Sequence, residues 1–465
     1  MSGSHSQETF DVAIIGAGVV GCATARRFAL EGARVVLLEQ GADILAGASK
    51  ANSAILHTGF DAPEDSLELD CMQRGYAEYR EISEHFNLPT LTSQAMVVAW
   101  TEEDEARLDG IVAKAHRNGV TDVHRISRDD VIRREPQLAS SLKGGVVVPG
   151  EHLIDPWSAP LAYATQALML GAVIKRNVAV NDGDFDGDHW TLHTSCGDIR
   201  ATTVINCAGL YGDRIETALL GTSEFEIRPR KGQFVVFDKA AAELINSIIL
   251  PVPGERTKGV VLTRTVFGNL LVGPTAEEQS DRQLAGLDHA VLQSLIDSAV
   301  QRIPALHGMP VTATYAGLRP ATERKEYRCR YEASQHYLVL GGVRSTGLTA
   351  SLGLAQYAYK LYAQQHQHTR PSGVSIPAMP NLAEHLQRDW QQPNCGEIAC
   401  HCEWVTQREI ENAFASPLPP TTLSGLKRRT RACMGRCQGF YCGARIAEMT
   451  QHRFAVEPTT DEPHD

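Results

Sequence analysis

FDVAIIGAGVVG (residues 10–21) is the stretch that decides the fold of this 465-residue chain. The apolar run VAII (12–15), typical of a buried strand, leads into the pattern Gly16-x-Gly18-x-x-Gly21, and a helical pattern follows. In such a fingerprint Gly16 allows the tight turn, Gly18 lets the backbone approach a pyrophosphate, and Gly21 lets helix and strand pack closely. The next apolar run, residues 34–38, ends at Glu39, where a carboxylate accepts hydrogen bonds from ribose hydroxyls. The segment predicts a βαβ unit that binds a dinucleotide.

Outward from this unit, helical and strand patterns alternate along the chain. Strand patterns occur at residues 187–206 and 335–343, strands and turns alternate through 225–280, and a helical pattern lies at 288–303. The stretch 366–397 is rich in Gln, His and Pro and breaks the periodicity. We therefore expect an α/β fold in which a Rossmann-like domain carries an inserted, sheet-rich substrate domain, followed by a small helical C-terminal domain.

The expected boundaries follow from these changes of pattern. Residues 8–370 form the main unit and residues 395–455 the C-terminal domain, with a linker at 371–394 and a tail at 456–465. Within the main unit we assign the pieces 8–90, 145–225 and 310–370 to the nucleotide-binding domain, and 90–145 and 225–310 to the substrate domain.

Composition excludes several classes of protein. The chain has 44 basic and 55 acidic side chains, a net charge of −11, which argues against a nucleic-acid partner because phosphate binding needs a basic surface. No apolar run approaches the roughly 18–20 residues that span a bilayer, so we expect no transmembrane segment. The N-terminus lacks the pattern of a signal peptide. We expect a cytoplasmic protein, with peripheral contact at the inner face of a membrane left open.

The eleven cysteines are unevenly distributed. Six lie between residues 395 and 442, and in a reducing compartment such a group indicates metal ligation rather than disulfides. A C-x-C pair, Cys400 and Cys402, precedes a C-x4-C pair, Cys437 and Cys442, by about 35 residues. Structural zinc sites prefer C-x2–4-C spacing, whereas four thiolates suit a 2Fe–2S cluster. Zinc, or a ligand-free cysteine-rich helix pair, remains an alternative.

The charge of the C-terminal segment supports a cluster. No acidic residue occurs between Asn412 and Ala447, whereas six basic residues do: Lys427, Arg428, Arg429, Arg431, Arg436 and Arg445. A four-thiolate cluster is anionic, and burying it requires compensating cations. We therefore expect these side chains to balance the charge of the cluster.

Three segments resemble the D-amino-acid-oxidase-like superfamily of FAD enzymes: GASKANSAILHTGFD (47–61), TVINCAGLYGDRI (203–215) and GGVRSTGLTASLGLA (341–355). Within it the chain is similar to the branch of glycerol-3-phosphate dehydrogenases and L-2-hydroxyglutarate oxidoreductases. The resemblance implies FAD as the dinucleotide. It places these residues at the cofactor, in addition to Gly16, Gly18, Gly21 and Glu39: Ser49, Asn52, Ser53, Ala208, Gly209, Gly342, Gly347, Leu348 and Thr349. Arg344 departs from the usual motif, and an arginine there either stabilises anionic reduced flavin, meets an anionic substrate or points to solvent.

The C-terminal segment resembles the bacterioferritin-associated-ferredoxin type domain that is fused to anaerobic glycerol-3-phosphate dehydrogenases. That resemblance implies the ligand set Cys400, Cys402, Cys437 and Cys442. Cys433 stands where relatives commonly have glycine and Cys395 lies outside the pattern, so both are expected to be bystanders, with Cys433 a possible spare ligand. His401 is expected near the cluster or at the surface.

The resemblance also suggests the catalytic residues. His57 is the candidate base for the substrate hydroxyl because its ordinary pKa suits proton transfer near neutrality, although a histidine there also fits a role in packing against the cofactor. Arg319 fits bidentate recognition of a carboxylate or phosphate, or else a structural ion pair. Lys258 and Arg324 are weaker substrate-side candidates, and Arg230 and Lys231 are expected to shape a turn.

The function expected is oxidation of a small anionic hydroxy substrate, with glycerol 3-phosphate favoured. Electrons then pass through the cluster to a partner protein or a quinone-linked carrier. An L-2-hydroxyglutarate, other 2-hydroxy acid or amino acid oxidoreductase is the second interpretation. A non-catalytic electron-transfer protein that keeps FAD and the cluster without turning over substrate is the third.

Overall fold

The computed structural model describes residues 9–254 and 259–454. The helices of this part of the chain are α1 (Val19–Leu30), α2 (Leu67–Ile82), α3 (Glu102–Ala106), α4 (Leu108–Arg117), α5 (Arg128–Arg134), α6 (Ser158–Met169), α7 (Gly212–Leu220), α8 (His289–Arg302), α9 (Gly347–Tyr362), α10 (Gln407–Ala415), α11 (Leu423–Thr430) and α12 (Gly443–Thr450). Its strands are β1 (Thr9–Ile15), β2 (Val35–Leu38), β3 (Ile55–Leu56), β4 (Thr90–Thr92), β5 (Ala95–Ala99), β6 (His124–Ser127), β7 (Gly144–Val148), β8 (His152–Ile154), β9 (Val173–Lys175), β10 (Val180–Phe185), β11 (Trp190–Thr194), β12 (Gly197–Asn206), β13 (Arg230–Phe237), β14 (Ile248–Pro251), β15 (Val261–Arg264), β16 (Leu270–Gly273), β17 (Glu277–Glu278), β18 (Val311–Arg319), β19 (Arg328–Glu332), β20 (Tyr337–Gly341), β21 (Ile398–Cys400) and β22 (Val405–Thr406).

The first sheet contains the N-terminal βαβ unit. Its parallel strands run in the order β9-β2-β1-β12-β20, with β19 and the hairpin β10-β11 added in antiparallel pairing. In the ladder, Ile15 at the end of β1 lies opposite both Leu38 and Asn206, so β1, β2 and β12 end at the same edge. Ligands of open parallel sheets bind at this carboxyl edge, which is where the glycine turn and Glu39 lie.

Helices α2 and α9 cross with their backbones in contact on one side of this sheet. A Cβ on Gly75 would lie 2.0 Å from the carbonyl oxygen of Thr349, and one on Gly353 would lie 2.1 Å from that of Cys71. Neither glycine tolerates a side chain without displacing the other helix. The first turn of α9, which follows the expected closing flavin motif, is thereby fixed relative to the rest of the domain.

The second sheet is built from two separated pieces of the chain. Strands β5 to β7 and β13 to β18 form nine strands in the order β17-β13-β16-β15-β14-β5-β7-β6, with β18 on the free edge of β13. All pairs are antiparallel except β5 with β14. β18 lies in the stretch 310–370 that we expected in the nucleotide-binding domain, yet it pairs with β13 along its length and so belongs to the inserted sheet.

The segment between α9 and β21 is an extended strap packed on both sheets. Near its start Arg370 Nε donates to Glu31 Oε2 at 2.6 Å, and farther along the Met379 amide donates to the Phe86 carbonyl at 2.8 Å. Leu382 is buried in a core of the second sheet, and the Lys239 ammonium lies 2.6 Å from the Glu384 carboxylate. The segment expected as a linker is therefore anchored along its length.

The C-terminal domain consists of α10, α11, α12 and the hairpin β21-β22, and it packs against the first sheet through α11. The Arg429 guanidinium donates to both oxygens of the Asp43 carboxylate at 2.8 and 3.0 Å, and both side chains are buried. A Cβ on Gly425 would lie 1.8 Å from Asp43 Oδ2, so only glycine permits this approach. Arg428 donates to the Ile44 carbonyl at 3.1 Å.

Replacing Asp43 with alanine is expected to destabilise the folded chain by about 3–5 kcal/mol, because it leaves Arg429 buried without its carboxylate partner. Urea unfolding followed by tryptophan fluorescence measures the change. Asp70→Ala is the matched control, because Asp70 pairs with Arg74 at 45% side-chain exposure and such pairs contribute at most about 1 kcal/mol. Equal midpoints for the two variants would show that the buried pair does not stabilise this interface.

Candidate functional site

A cavity of about 940 Å³ lies at the carboxyl edge of the first sheet. Its walls include the fingerprint turn with the loop 46–52, strands of the second sheet, and the C-terminal segment 424–438. The volume is at the upper end of the roughly 300–1,000 Å³ that is typical of cofactor and small-molecule sites. An extended ligand therefore fits between the domains.

The fingerprint glycines lie so close to neighbouring atoms that side chains at their positions would not fit without a shift. Gly16 has φ +100°, and a Cβ there would lie 2.7 Å from the Cys207 carbonyl oxygen. A Cβ on Gly21 would lie 1.9 Å from the Gly16 carbonyl oxygen, and one on Gly18 would lie 3.1 Å from Ser49 Oγ. The turn thus has the close packing that the fingerprint predicts, and its backbone is open to a diphosphate beside the N-terminus of α1.

Glu39 closes this turn from the end of β2. Its carboxylate accepts hydrogen bonds from the amides of Ala17 and Gly41 at 2.8 and 2.7 Å. Burial raises the pKa of Glu39, and the two amides act in the opposite direction. The side chain lines the cavity, as expected for a group that binds ribose hydroxyls.

Most of the residues expected at the cofactor surround this cavity. Nine of them line it: Gly16, Gly18, Glu39, Ser49, Asn52, Ala208, Gly209, Gly342 and Gly347. The remaining four, Gly21, Ser53, Leu348 and Thr349, are not part of the lining formed by the described residues. Thr349 instead supports the loop behind the cavity, since its Oγ1 accepts a hydrogen bond from the His57 amide at 3.0 Å.

His57 is held by a buried carboxylate that the sequence analysis missed. Its Nδ1 lies 2.7 Å from Glu151 Oε2, and the other oxygen of Glu151 accepts hydrogen bonds from the Thr58 amide and hydroxyl at 2.6 and 2.8 Å. The Glu151 side chain has no exposed surface, whereas His57 is 23% exposed. This arrangement fixes the ring and directs Nε2 away from Glu151. Nothing in the residues around Glu151 distinguishes it from an ordinary acid of a turn.

Arg319 lies at the end of β18, whose residues 313–318 line the cavity. The side chain is partly buried and donates to the carbonyl oxygens of Thr275 and, at 3.3 Å, of Lys231. Burial, together with the nearby guanidinium groups of Arg230 and Arg344, lowers the pKa of Arg319 to about 10. Within residues 9–254 and 259–454, Arg319 forms no ion pair. The alternative expectation of a structural ion pair therefore finds no partner in this part of the chain.

The neighbouring cations have carboxylate partners. Arg230 pairs with Glu278 and Lys231 with Glu277, both at the edge of the second sheet, and the Arg344 Nη2 lies 3.6 Å from Glu68 Oε2. Arg324 is exposed, and Lys258 lies outside the described residues. Arg344 thus contacts α2 rather than pointing freely into solvent.

The side chains of five cysteines of the C-terminal domain lie close together, and Cys442 contacts two of the others. The thiols of Cys402 and Cys437 are within hydrogen-bonding contact, as are those of Cys400 and Cys442, and Cys433 Sγ lies 3.5 Å from Cys442 Sγ. No three His, Cys, Asp or Glu side chains in the described part of the chain are arranged to hold a single metal ion. A 2Fe–2S cluster takes two ligands on each iron, so paired thiols fit it.

The loop 437–443 favours a thiolate at Cys437. Partial burial opposes ionisation, but the backbone amides of Tyr441, Gly439 and Phe440 and the Cys402 thiol together lower the pKa of Cys437. Burial raises the pKa of Cys400 and of Cys442 to about 11. The partly exposed Cys437 thiol therefore lies in a turn whose backbone amides favour its ionised form.

The structure places Cys433 inside this group rather than apart from it. Its side chain is buried, and it also lines the large cavity. Cys395 Sγ contacts the Trp390 and Gly396 carbonyls, away from the paired thiols, and His401 is exposed. The ligand set Cys400, Cys402, Cys437 and Cys442 stays a prediction.

The six cations of this domain do not all balance a cluster, which corrects our expectation. Arg429 pairs with Asp43, Arg431 with Glu403 at 2.8 Å, and Arg436 with Asp238 at 2.6 Å. Two of these three carboxylates belong to the other domains. The basic segment is thus in part an interface, because Asp43 and Asp238, which pair with two of its arginines, belong to the other domains.

Comparison with known proteins identifies both parts. Residues 11–361, well over half of the chain, match the family described as FAD dependent oxidoreductase. The chain belongs to this family. Residues 398–452 of the flavoprotein match the BFD-like 2Fe–2S binding domain. FAD and a 2Fe–2S cluster are accordingly its cofactors, and the glycine turn and the paired thiols fit them.

Three relatives of the flavoprotein show how far the similarity extends. The glycerol 3-phosphate dehydrogenase of Caloramator mitchellensis is 30% identical over 97% of this chain and 96% of its own length. A subunit of the anaerobic glycerol-3-phosphate dehydrogenase of Escherichia coli is 24% identical over 97% of this chain and 90% of its own length. Among solved structures, the dithionite-reduced L-alpha-glycerophosphate oxidase from Mycoplasma pneumoniae with FAD bound has a TM-score of 0.74 at 24% identity, covering 80% of this chain and all of that one. The last shows the shared fold.

No helix in the described residues of the flavoprotein is long and apolar enough to cross a membrane.

Proposed function

We propose that the chain is an FAD-dependent dehydrogenase that oxidises sn-glycerol 3-phosphate and passes the electrons through its 2Fe–2S cluster to a partner protein or a quinone-linked carrier. The observation that carries the substrate class is Arg319. A partly buried guanidinium without an ion pair in the described chain, beside two further arginines, favours a dianionic group such as a phosphate. The similarity to glycerol 3-phosphate dehydrogenases over nearly the whole chain supports the same substrate.

Two residues have the chemistry that this oxidation needs. Bound FAD supplies the hydride acceptor, and the protein orients the substrate and handles the proton. His57 Nε2 is the proposed acceptor of the hydroxyl proton, because Glu151 occupies Nδ1 and stabilises the ring when it becomes positively charged. Arg319 is the proposed anchor for the phosphate. Neither residue belongs to the lining of the large cavity, so we expect the substrate to bind beside it rather than deep within it.

The C-terminal domain gives the electrons their proposed route. A 2Fe–2S cluster carries single electrons, which suits delivery to a partner better than direct reaction with dioxygen. The similarity to one subunit of an anaerobic dehydrogenase supports a partner protein. We place the chain itself in the cytoplasm or at the inner face of a membrane.

An anaerobic titration of the purified protein tests the proposal. sn-Glycerol 3-phosphate is added first and L-2-hydroxyglutarate to a second sample, while visible absorbance follows the flavin and EPR follows the cluster. We expect the first substrate to bleach the flavin and to produce a reduced 2Fe–2S signal. Bleaching by L-2-hydroxyglutarate alone would replace the substrate with the 2-hydroxy acid. A flavin that dithionite reduces but neither compound bleaches would overturn both.

A further inference from the structure

One face of α11 lines the same cavity as the fingerprint turn. Ser424, Lys427, Arg428 and the C-cap residue Arg431 are spaced i, i+3, i+4 and i+7, which places them on one side of the helix, and all four line the cavity. The wall that the C-terminal domain presents to the cavity therefore carries three cations. The same cavity is lined by Gly16 and Gly18, whose turn is open to a diphosphate.

This face is held in place by contacts with the first sheet. Arg429, which points away from the cavity, is fixed by the buried Asp43 carboxylate, and Arg428 donates to the Ile44 carbonyl. Both acceptors follow Glu39 within a few residues, so α11 lies along the loop that leads out of β2. Arg431 reaches the other side of the cavity, where its guanidinium lies 3.9 Å from the centre of the Phe267 ring.

Lys427 forms no ion pair with a carboxylate in the part of the chain that the structure describes. Arg431 pairs with Glu403, which removes most of its attraction for another anion. The segment from Asn412 to Ala447 contains no Asp or Glu, so no carboxylate of its own sequence pairs with the half-buried Lys427. A cation in this position favours an anion within the cavity.

The same segment leads directly into the cysteine group. The chain passes from α11 through Arg431 and Cys433, both with positive φ, to Cys437 and Cys442. Cys433 lines the cavity and also contacts the Cys442 thiol at 3.5 Å. A single stretch of about twenty residues thus forms a wall of the flavin cavity and carries part of the expected cluster site.

We propose that the C-terminal domain is part of the FAD site. Lys427 binds an anionic group of FAD, its diphosphate, which the backbone of the fingerprint turn also contacts. Because the cluster orders the loop that continues from α11, assembly of the cluster also strengthens FAD binding, and by thermodynamic reciprocity FAD stabilises the loaded cluster domain. The inference rests on FAD and the cluster as cofactors and is independent of the proposed substrate.

The test measures FAD release from the anaerobically purified holoenzyme without substrate. A dilution series, followed by the fluorescence of free FAD, gives the Kd of the wild type, Lys427→Gln, Lys427→Arg and the control Arg445→Gln. Arg445 lies on α12, pairs with Glu448 and does not line the cavity. We expect the Kd of K427Q to rise about tenfold or more, because a charge-assisted contact is lost. The Kd of K427R for FAD should stay within about threefold of the wild-type value, and that of R445Q within about twofold.

Two further readouts separate an electrostatic role from a damaged domain. Added KCl should weaken FAD binding of the wild type more steeply than that of K427Q, since an ionic contact is screened. Wild-type protein depleted of the cluster by a chelator should bind FAD more weakly than the loaded protein. A K427Q variant with wild-type Kd and wild-type salt dependence would overturn the role of Lys427, and an unchanged Kd after cluster removal would overturn the coupling.

Discussion

Arg319→Ala is expected to lower kcat/KM for sn-glycerol 3-phosphate by about 100-fold, the effect of removing one partner of a largely desolvated charge pair. The wild-type guanidinium is already oriented by the Thr275 and Lys231 carbonyls, so it meets the phosphate with little loss of side-chain freedom. Alanine removes the charge and both donors. Steady-state kinetics with an artificial electron acceptor measures the change, and the flavin absorbance of the variant confirms that FAD is retained.

Arg228→Ala is the matched control for this variant. Arg228 precedes β13 in the same region, its side chain is 57% exposed, and it pairs with Glu226. Its loss should change kcat/KM by less than about twofold, because an exposed pair contributes little. Added guanidinium ion should restore part of the activity of the Arg319 variant and leave the control unaffected. If R319A keeps kcat/KM within about threefold of the wild type, a factor too small for a lost charge pair, the anion is bound elsewhere.

Cys437→Ser is expected to abolish the 2Fe–2S cluster while leaving FAD bound. Iron should fall from about two atoms per chain to a trace, and the EPR signal of the dithionite-reduced protein should disappear, because serine is a poor substitute for a thiolate ligand. The substrate sn-glycerol 3-phosphate should still bleach the flavin. Electrons would then have no route to a one-electron acceptor through the C-terminal domain.

Two other cysteines provide the comparison. Cys395→Ser should keep full iron content, because Cys395 lies outside the group of close thiols. Cys433→Ala should keep it too if the ligands are those expected from the sequence, although Cys433 lies 3.5 Å from Cys442. Loss of iron in the Cys433 variant, with iron retained in the Cys437 variant, would exchange the roles of the two residues.

Features that depend on neighbouring residues could be predicted from the sequence. The fingerprint, the helix after it and Glu39 lie within about thirty residues of one another, and their positions in the structure match the pattern: β1 spans Thr9–Ile15 and β2 ends at Leu38. The helical pattern at 288–303 matches α8, which begins after the N-cap Asp288. Hydrophobic periodicity and capping residues act over a few neighbouring positions, so the local sequence is sufficient to predict where these strands and helices begin and end.

Contacts between distant residues could not be predicted. The parallel pairing of β5 with β14 joins Ala95 to Ile248, and the pair Asp43–Arg429 joins residues 386 apart. Glu151 meets His57 because β8 pairs with β3, which no local pattern specifies. The excess of cations in the C-terminal segment is visible in the sequence, but two of the carboxylates that pair with them, Asp43 and Asp238, lie in other domains.

The strap between α9 and β21 holds the cluster domain in a fixed position relative to the flavin site. A domain that carries electrons on a flexible tether has to diffuse between a loading and an unloading position, and its turnover slows in viscous solvents. Here contacts of Arg370, Met379 and Glu384 fix the strap to the body of the protein, and Arg429 fixes the domain that follows it. The fold therefore fixes the distance between the two redox centres. Raising the solvent viscosity with glycerol or sucrose should leave the rate of electron transfer between flavin and cluster unchanged.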